Sequence, residues 1–259
     1  MHGCWALVTG GSKGIGYHAA RGLARSGCNL ILSARRREPL EEASQKLEKE
    51  YDVTVIPVPS DLRIEESVNK LIKETLRTVR GAPRVVFLSY GNPLCEPSKL
   101  GEIPWACWLE AAALYLASTA RIISRIASEA QDRVTVAAVT SFTVASPHTP
   151  LIVADSVRRG ITSILWSAAR IWPGKVQSVL LVLGSFRTPG AEETITVLSG
   201  GDLERYWREK VRSLSPLRRE GFLAEVERVA EILLDIPEYA VFTPIFLEGG
   251  SIACPGLCL

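Results

Sequence analysis

The stretch Thr9–Gly16, TGGSKGIG, carries glycines at 10, 14 and 16. It follows a short apolar run, Trp5–Thr9, and leads into a segment of helical periodicity. A glycine at the first position allows a sharp turn, one at the second lets backbone approach a pyrophosphate, and one at the third lets a helix pack closely. The helix that follows would point free N–H groups at phosphate. A strand before and a helix after raise this pattern above a plain turn and predict a nucleotide site. The second apolar run ends at Ser33 and Ala34, followed by Arg35, Arg36 and Arg37, with no acid before Glu38. A free ribose 2′-hydroxyl would call for an acid there. Guanidinium suits an anionic 2′-phosphate instead, with Arg35 as its partner and Lys13 as a second positive charge on that side. Arg36 and Arg37 read as solvated residues leading into a helix. The expected cofactor is therefore NADP(H) rather than NAD(H).

The elements that must position these residues alternate along the chain. Buried parallel strands are predicted in WALVT, NLILSA, VTVIPV, RVVFLSY, RVTVAAVTS, VQSVLLVLG and AVFTPIFL. Helices are predicted over Ile15–Ser26, Pro39–Tyr51, Ile64–Val79, Trp105–Ala130 and Leu151–Trp172. This alternation predicts an α/β fold, a Rossmann-type doubly wound seven-stranded parallel sheet with helices on both faces, as one domain over 1–259. The least regular stretch is Arg187–Trp207. It reads as an insertion near 187–212 that covers a site.

The 259 residues carry a net charge of +2 with both signs mixed, which argues against a nucleic-acid partner. No apolar run reaches the length of a membrane span, and the opening run is too short for a signal segment. A cytoplasmic protein is expected. The six cysteines (4, 28, 95, 107, 254 and 258) lack metal-ligand spacing and read as small buried hydrophobes. Pairing of Cys254 with Cys258 is a minority alternative. Arg far outnumbers Lys, which leans weakly towards a thermophile, where intracellular disulfides are less rare.

At this point the chain resembles a classical short-chain dehydrogenase/reductase, in particular the β-ketoacyl-acyl carrier protein reductase-like branch. TGGSKGIG is similar to the family's TGxxxGxG, so Gly10, Ser12, Lys13, Gly14, Ile15 and Gly16 would line the cofactor. SDLR at 60–63 resembles the step after strand three, with Asp61 on the adenine amino group and Leu62 beside it. LSYGNP at 88–93 sits where the family has NNAGxP, retaining Gly91. LGSFRT stands for PGxxxT, retaining Gly184 and Thr188. The closing helix, strand and double glycine also resemble the family's.

The departures fall where the resemblance implies chemistry. The family serine falls on Ser141, which is retained, but its tyrosine falls on Ala154, its lysine on Arg158 and its helical asparagine on Tyr115. Alanine gives no proton, and neither does a guanidinium. Arg158 can still hold the ribose and stabilise an oxyanion. Ser141, Arg158 and Tyr115 are the candidate catalytic residues, with Tyr115 reading more readily as a packed aromatic at the helix interface. Tyr90 and His148 are further candidate proton donors. Asp155, three residues before Arg158, reads as one half of a helix-surface ion pair. The implied activity is NADP(H)-dependent redox chemistry on a small-molecule carbonyl or alcohol. The alternative is a regulatory protein that kept only the nucleotide cleft. The resemblance further implies a homodimer or homotetramer built on the two long helices, Trp105–Ala130 and Leu151–Trp172.

Overall fold

The computed structural model describes residues 3–91, 99–145 and 151–252. The runs rich in Val, Ile and Leu form seven parallel strands: β1 (Trp5–Thr9), β2 (Asn29–Ala34), β3 (Val55–Pro59), β4 (Val85–Leu88), β5 (Val134–Ser141), β6 (Val176–Leu183) and β7 (Phe242–Leu247). Their order is β3-β2-β1-β4-β5-β6-β7. A parallel pair needs a crossover, and helices provide it here. These are α1 (Gly14–Arg25), α2 (Arg37–Tyr51), α3 (Glu65–Val79), the long α4 (Trp105–Glu129), α5 (Ile152–Ile171) and, before β7, a helix over Leu223–Ile232. The predicted α/β doubly wound sheet is the observed one.

Because both faces are covered, the central strands are apolar on both sides, as parallel sheets require. Leu7, Ile31, Val86 and Val136 pack on the face of α3, α4 and α5. Ala6, Val8, Leu30 and Phe87 pack on the face of α1, α2 and Leu223–Ile232. The strand order reverses between β1 and β4, whose carboxyl ends are laced together. Thr9 Oγ1 donates to the Ser89 carbonyl at 2.9 Å, and the Ser89 N–H donates back to Thr9 Oγ1 at 3.0 Å. Such a switch point opens a crevice at the strand ends.

Three features differ from the sequence reading. The stretch after β6 is helical rather than irregular. Pro189–Leu198 forms α6, capped by Thr188 Oγ1 on the Ala191 N–H, and Leu203–Tyr206 runs through the π-helical turn Trp207–Val211 into Arg212–Leu214. Helix α4 also carries a π-helical segment, Ala112–Ala117, which sequence periodicity did not reveal. By length and composition α4 would pass for a membrane span, contrary to the expectation from run length. Its apolar side, including Ile122, Ile123 and Ile126, instead closes on the sheet.

The third difference concerns the cysteines. Cys4 and Cys28 are disulfide-bonded, joining the start of β1 to the lead-in of β2. The reading of these two as unbonded hydrophobes is thereby corrected, as is that of Cys107, which is also disulfide-bonded. Cys4 and Cys28 flank the same strand pair, where Asn29 N–H donates to the Cys4 carbonyl, so parallel pairing itself brings them together. Cys95, Cys254 and Cys258 lie outside the described residues.

The cross-link closes a loop that contains the whole glycine turn and α1. A closed loop of this length removes about 3 kcal/mol of unfolded-state entropy in the chain-entropy account. The double variant Cys4→Ser/Cys28→Ser should therefore melt about 5–10 °C lower in calorimetry. Reducing agent should lower the melting point of the wild-type protein by more than that of the variant, which keeps the Cys107 disulfide.

Candidate active site

A cleft of about 810 Å³ runs along the carboxyl ends of the strands, over the switch point. Its first wall is the glycine turn. Gly10 and Gly14 adopt φ of +62° and +60°, a left-handed conformation that side chains disfavour. A Cβ on Gly10 would stand 2.9 Å from the Ser89 carbonyl oxygen, and one on Gly16 would fall against the carbonyls of Gly10 and Thr9. The turn therefore packs backbone on backbone, and only glycine fits. Lys13 is the N-cap of α1, and no side chain caps that helix, so the first-turn N–H groups face the cleft as free donors. Ser12, Lys13, Gly14 and Ile15 line the cleft, while Gly16 stands behind it as a packing residue.

The end of the cleft beside the glycine turn is built from the ends of β2 and β3. Ser33, Arg35, Arg36, Asp61 and Leu62 line it. Ser33 is buried and accepts the Gly11 N–H on its carbonyl at 2.9 Å, which fixes the spacing between glycine turn and β2. Arg35 is exposed and, among the described residues, has no ion-pair or hydrogen-bond partner. Asp61, which lines this end as expected, is held there by an ion pair. Both its carboxylate oxygens are taken by Arg63, Nε at 2.9 Å and Nη2 at 2.6 Å, and Arg63 also reaches Glu110 at 2.6 Å. This bidentate pairing holds the Asp61 carboxyl below the usual carboxylate range. Arg63 was visible in SDLR, but its grip on Asp61 was not, because it depends on Glu110 coming across from α4.

The other end gathers the candidate catalytic residues. Ser141 ends β5 and accepts the Thr143 N–H on Oγ at 3.3 Å, heading the 3₁₀ turn Phe142–Val144. Arg158 on α5 lines the same cleft and has no ion-pair partner among the described residues. Its guanidinium lies 5.9 Å from the Tyr115 ring centroid, a cation–π distance. Ala154 is buried one turn earlier. Gly91 and Thr188 also line the cleft. The Thr140 hydroxyl, nearly inaccessible and on the cleft lining, finds no hydrogen-bond partner among the described residues.

Tyr115 itself is corrected from candidate acid to packing residue. It is 1% exposed, and its hydroxyl donates to the Gly91 carbonyl at 2.5 Å, behind the cleft lining. Its ring stacks on Tyr90, with centroids 4.7 Å apart. Tyr90 does line the cleft, but its hydroxyl is shared with Thr119 Oγ1 at 2.5 Å, and burial pushes its pKa up. Neither phenol is poised to release a proton into the cleft. Asp155 is corrected as well. It is buried, not on the helix surface, and Thr143 Oγ1 donates to its Oδ1. The i, i+3 spacing suggested Arg158 as its partner, but the side chain turns towards the 3₁₀ turn instead. His148 lies outside the described residues, as do Pro93, Leu94 and Pro147.

The helices after β6 roof the cleft with Ile195, Leu198, Tyr206 and Trp207. Sequence reasoning placed a cover here without naming these side chains. Arg187 fastens the roof, pairing with Glu192 at 2.8 Å and with Glu204, its guanidinium 5.8 Å from the Trp207 ring centroid. Lys13 reaches the same roof, 3.2 Å from Glu193.

With this geometry in hand, comparison with known proteins is informative. The short chain dehydrogenase family profile matches residues 4–88. Over that third of its length the chain is similar to short chain dehydrogenases. A peroxisomal 2,4-dienoyl-CoA reductase of Danio rerio is 28% identical over 118 residues, 46% of this chain. That match spans 39% of the relative's own length. A probable 2,4-dienoyl-CoA reductase of Bacillus subtilis is 24% identical over 95% of each chain. Among solved structures, L-sorbose reductase from Gluconobacter frateurii, complexed with NADPH and L-sorbose, superposes with a TM-score of 0.86. The two share 20% identity over 96% of this chain and 97% of that one, a likeness of fold.

The unpaired Arg35 makes a direct prediction. Arg35→Asp should invert the NADPH/NADH affinity ratio measured by tryptophan fluorescence, weakening NADPH by about tenfold or more, since a charge-assisted hydrogen bond contributes roughly 1.5–3 kcal/mol. An unchanged ratio would move the 2′-phosphate site elsewhere.

Proposed function

We propose that this chain is an NADP(H)-dependent oxidoreductase of a small-molecule carbonyl/alcohol pair, working with an altered set of catalytic residues. One observation carries the reading. A single cleft joins an uncapped glycine turn and an unpaired Arg35 at one end to Ser141 and an unpaired Arg158 at the other. The cofactor fits what is there. The uncapped N-terminus of α1 turns its N–H groups to the cleft, and the Thr140 hydroxyl on the cleft lining has no hydrogen-bond partner among the described residues. The NADPH named in the Gluconobacter frateurii complex accords with this choice.

Bound NADPH would supply the hydride. The α1 N-terminus would hold its pyrophosphate, Arg35 its 2′-phosphate, and Arg158 its nicotinamide ribose. Ser141 Oγ, already accepting the Thr143 N–H, keeps its own proton free to donate to a substrate oxygen. Arg158 adds positive charge beside that oxygen, in a cleft where the apolar roof lowers the local dielectric. Tyr115 positions Gly91 and supports Arg158 from behind.

A second reading rests on Ala154 together with the occupied phenols of Tyr90 and Tyr115: a protein that binds the nucleotide without turnover. The assembly proposed for either is a homodimer or homotetramer. Trp105 and Leu109 on α4 and Trp166 and Ile171 on α5 are exposed, and a second groove of about 760 Å³ lies between these helices, lined by small residues such as Ala117, Ala120 and Ser163.

The two readings separate in two variants. Ser141→Ala should lower turnover by about 10²-fold or more with NADPH affinity within about twofold of wild type. Arg158→Ala should lower both. Should an activity survive Ser141→Ala intact, the catalytic end of the cleft is misplaced. If purified protein binds NADPH and reduces none of a broad ketone and diketone panel, the second reading stands.

A further inference from the structure

Redox chemistry at this cleft requires a route for the alcohol proton, and among the described residues the phenols that could give it are committed elsewhere. Position 154 is alanine, and the hydroxyls of Tyr90 and Tyr115 are committed to Thr119 and to Gly91. One titratable side chain beside the site has no part in the mechanism so far. Asp155 is 2% exposed, follows Ala154 directly, and receives a hydrogen bond from Thr143 Oγ1. Thr143 in turn lines the cleft, and its N–H holds Ser141 Oγ. Thr143 thus links the cleft lining to a buried carboxyl, two residues from the serine that would bind the substrate oxygen.

We propose that Thr143 and Asp155 form the proton path that replaces the missing tyrosine, with Thr143 as the catalytic residue and Asp155 as the positioning and proton-storing residue behind it. The proposal rests on the oxidoreductase reading. In the oxidation direction, the substrate hydroxyl gives its proton to Thr143 Oγ1 while the Thr143 proton passes to Asp155 Oδ1. The O–H electron pair becomes the second C–O bond, and the C–H pair leaves as hydride to NADP+. Asp155, now a neutral carboxylic acid, returns its proton through the same hydroxyl to solvent after the product leaves. Reduction runs the sequence backwards. A hydroxyl donates and accepts at once, so threonine can carry the proton without ionising. Burial of the carboxyl keeps the stored proton from leaking to bulk water.

The bland role of such a pair is to fasten the 3₁₀ turn to α5, and the test separates the two. Wild type, Asp155→Asn, Thr143→Val and Thr143→Ser would be assayed with NADP+ and a panel of secondary alcohols. NADPH dissociation constants and melting temperatures would be measured on the same preparations. The proposal expects kcat to fall about 10²–10⁴-fold in Asp155→Asn and Thr143→Val, the range of a positioned acid–base group. It expects NADPH affinity to hold within about twofold. Thr143→Ser should recover most of the rate, and the wild-type kcat should show a solvent deuterium effect that both inactive variants lose. Lowered melting temperatures with kcat retained would overturn the path and leave a structural clasp. Loss of NADPH affinity alongside the rate would equally overturn it. Wild-type protein that binds NADPH but oxidises no alcohol and reduces no ketone overturns the oxidoreductase reading, and the path with it.

Discussion

The contact between the Gly16 backbone and the carbonyls of Thr9 and Gly10 governs how this chain folds and what it can hold. Without side chains at Gly10 and Gly16, β1 turns sharply into α1, and the helix N-terminus comes to rest at the point where the strand order reverses. With a Cβ at either place the helix would be pushed off the sheet. Everything else in the cleft is registered to this turn. Thr9 and Ser89 lock β1 to β4, and Gly11 locks the turn to β2 through Ser33. The same constraint explains why the free N–H groups of α1 point to one place rather than to solvent.

Around that fixed end the charged residues divide into partnered and unpartnered sets. Asp61, Arg63 and Glu110 satisfy one another, and Lys13 meets Glu193 on the roof. Arg35 and Arg158 have no carboxylate among the described residues. An arginine left unpaired beside a cleft is an anion or oxygen site in waiting, and these two stand at opposite ends of it. At the catalytic end the substitutions agree with each other. With tyrosine gone, a lysine to tune it has no object, and Arg158 instead rests against the Tyr115 ring.

Much of this was legible in the sequence, for physical reasons. Strands covered on both faces must be apolar throughout, so all seven stood out, and WALVT and NLILSA match the observed strands residue for residue. The glycine turn was legible because its steric demand admits one residue type. What escaped depends on tertiary approach. The Cys4–Cys28 bond follows from the pairing of β1 with β2, which spacing alone does not reveal. Asp155 offered Arg158 an ion pair by spacing, yet the 3₁₀ turn after β5 supplied a closer hydroxyl. The stretch after β6 looked irregular because its glycines and charges mask short helices whose apolar residues, Ile195 and Trp207, face a roof rather than the main core. Tyr115 sits in a π-helical segment that turns its hydroxyl to Gly91 instead of the cleft.

On the proposed function the cleft selects the phosphorylated dinucleotide. That selection is tested most directly by titrating the purified wild-type protein with NADPH and, separately, NADH, following tryptophan fluorescence and heat. The account predicts saturable one-site binding of NADPH, at least about tenfold tighter than NADH, the equivalent of roughly 1.4 kcal/mol. Equal affinity for the two, or binding of neither, would contradict it.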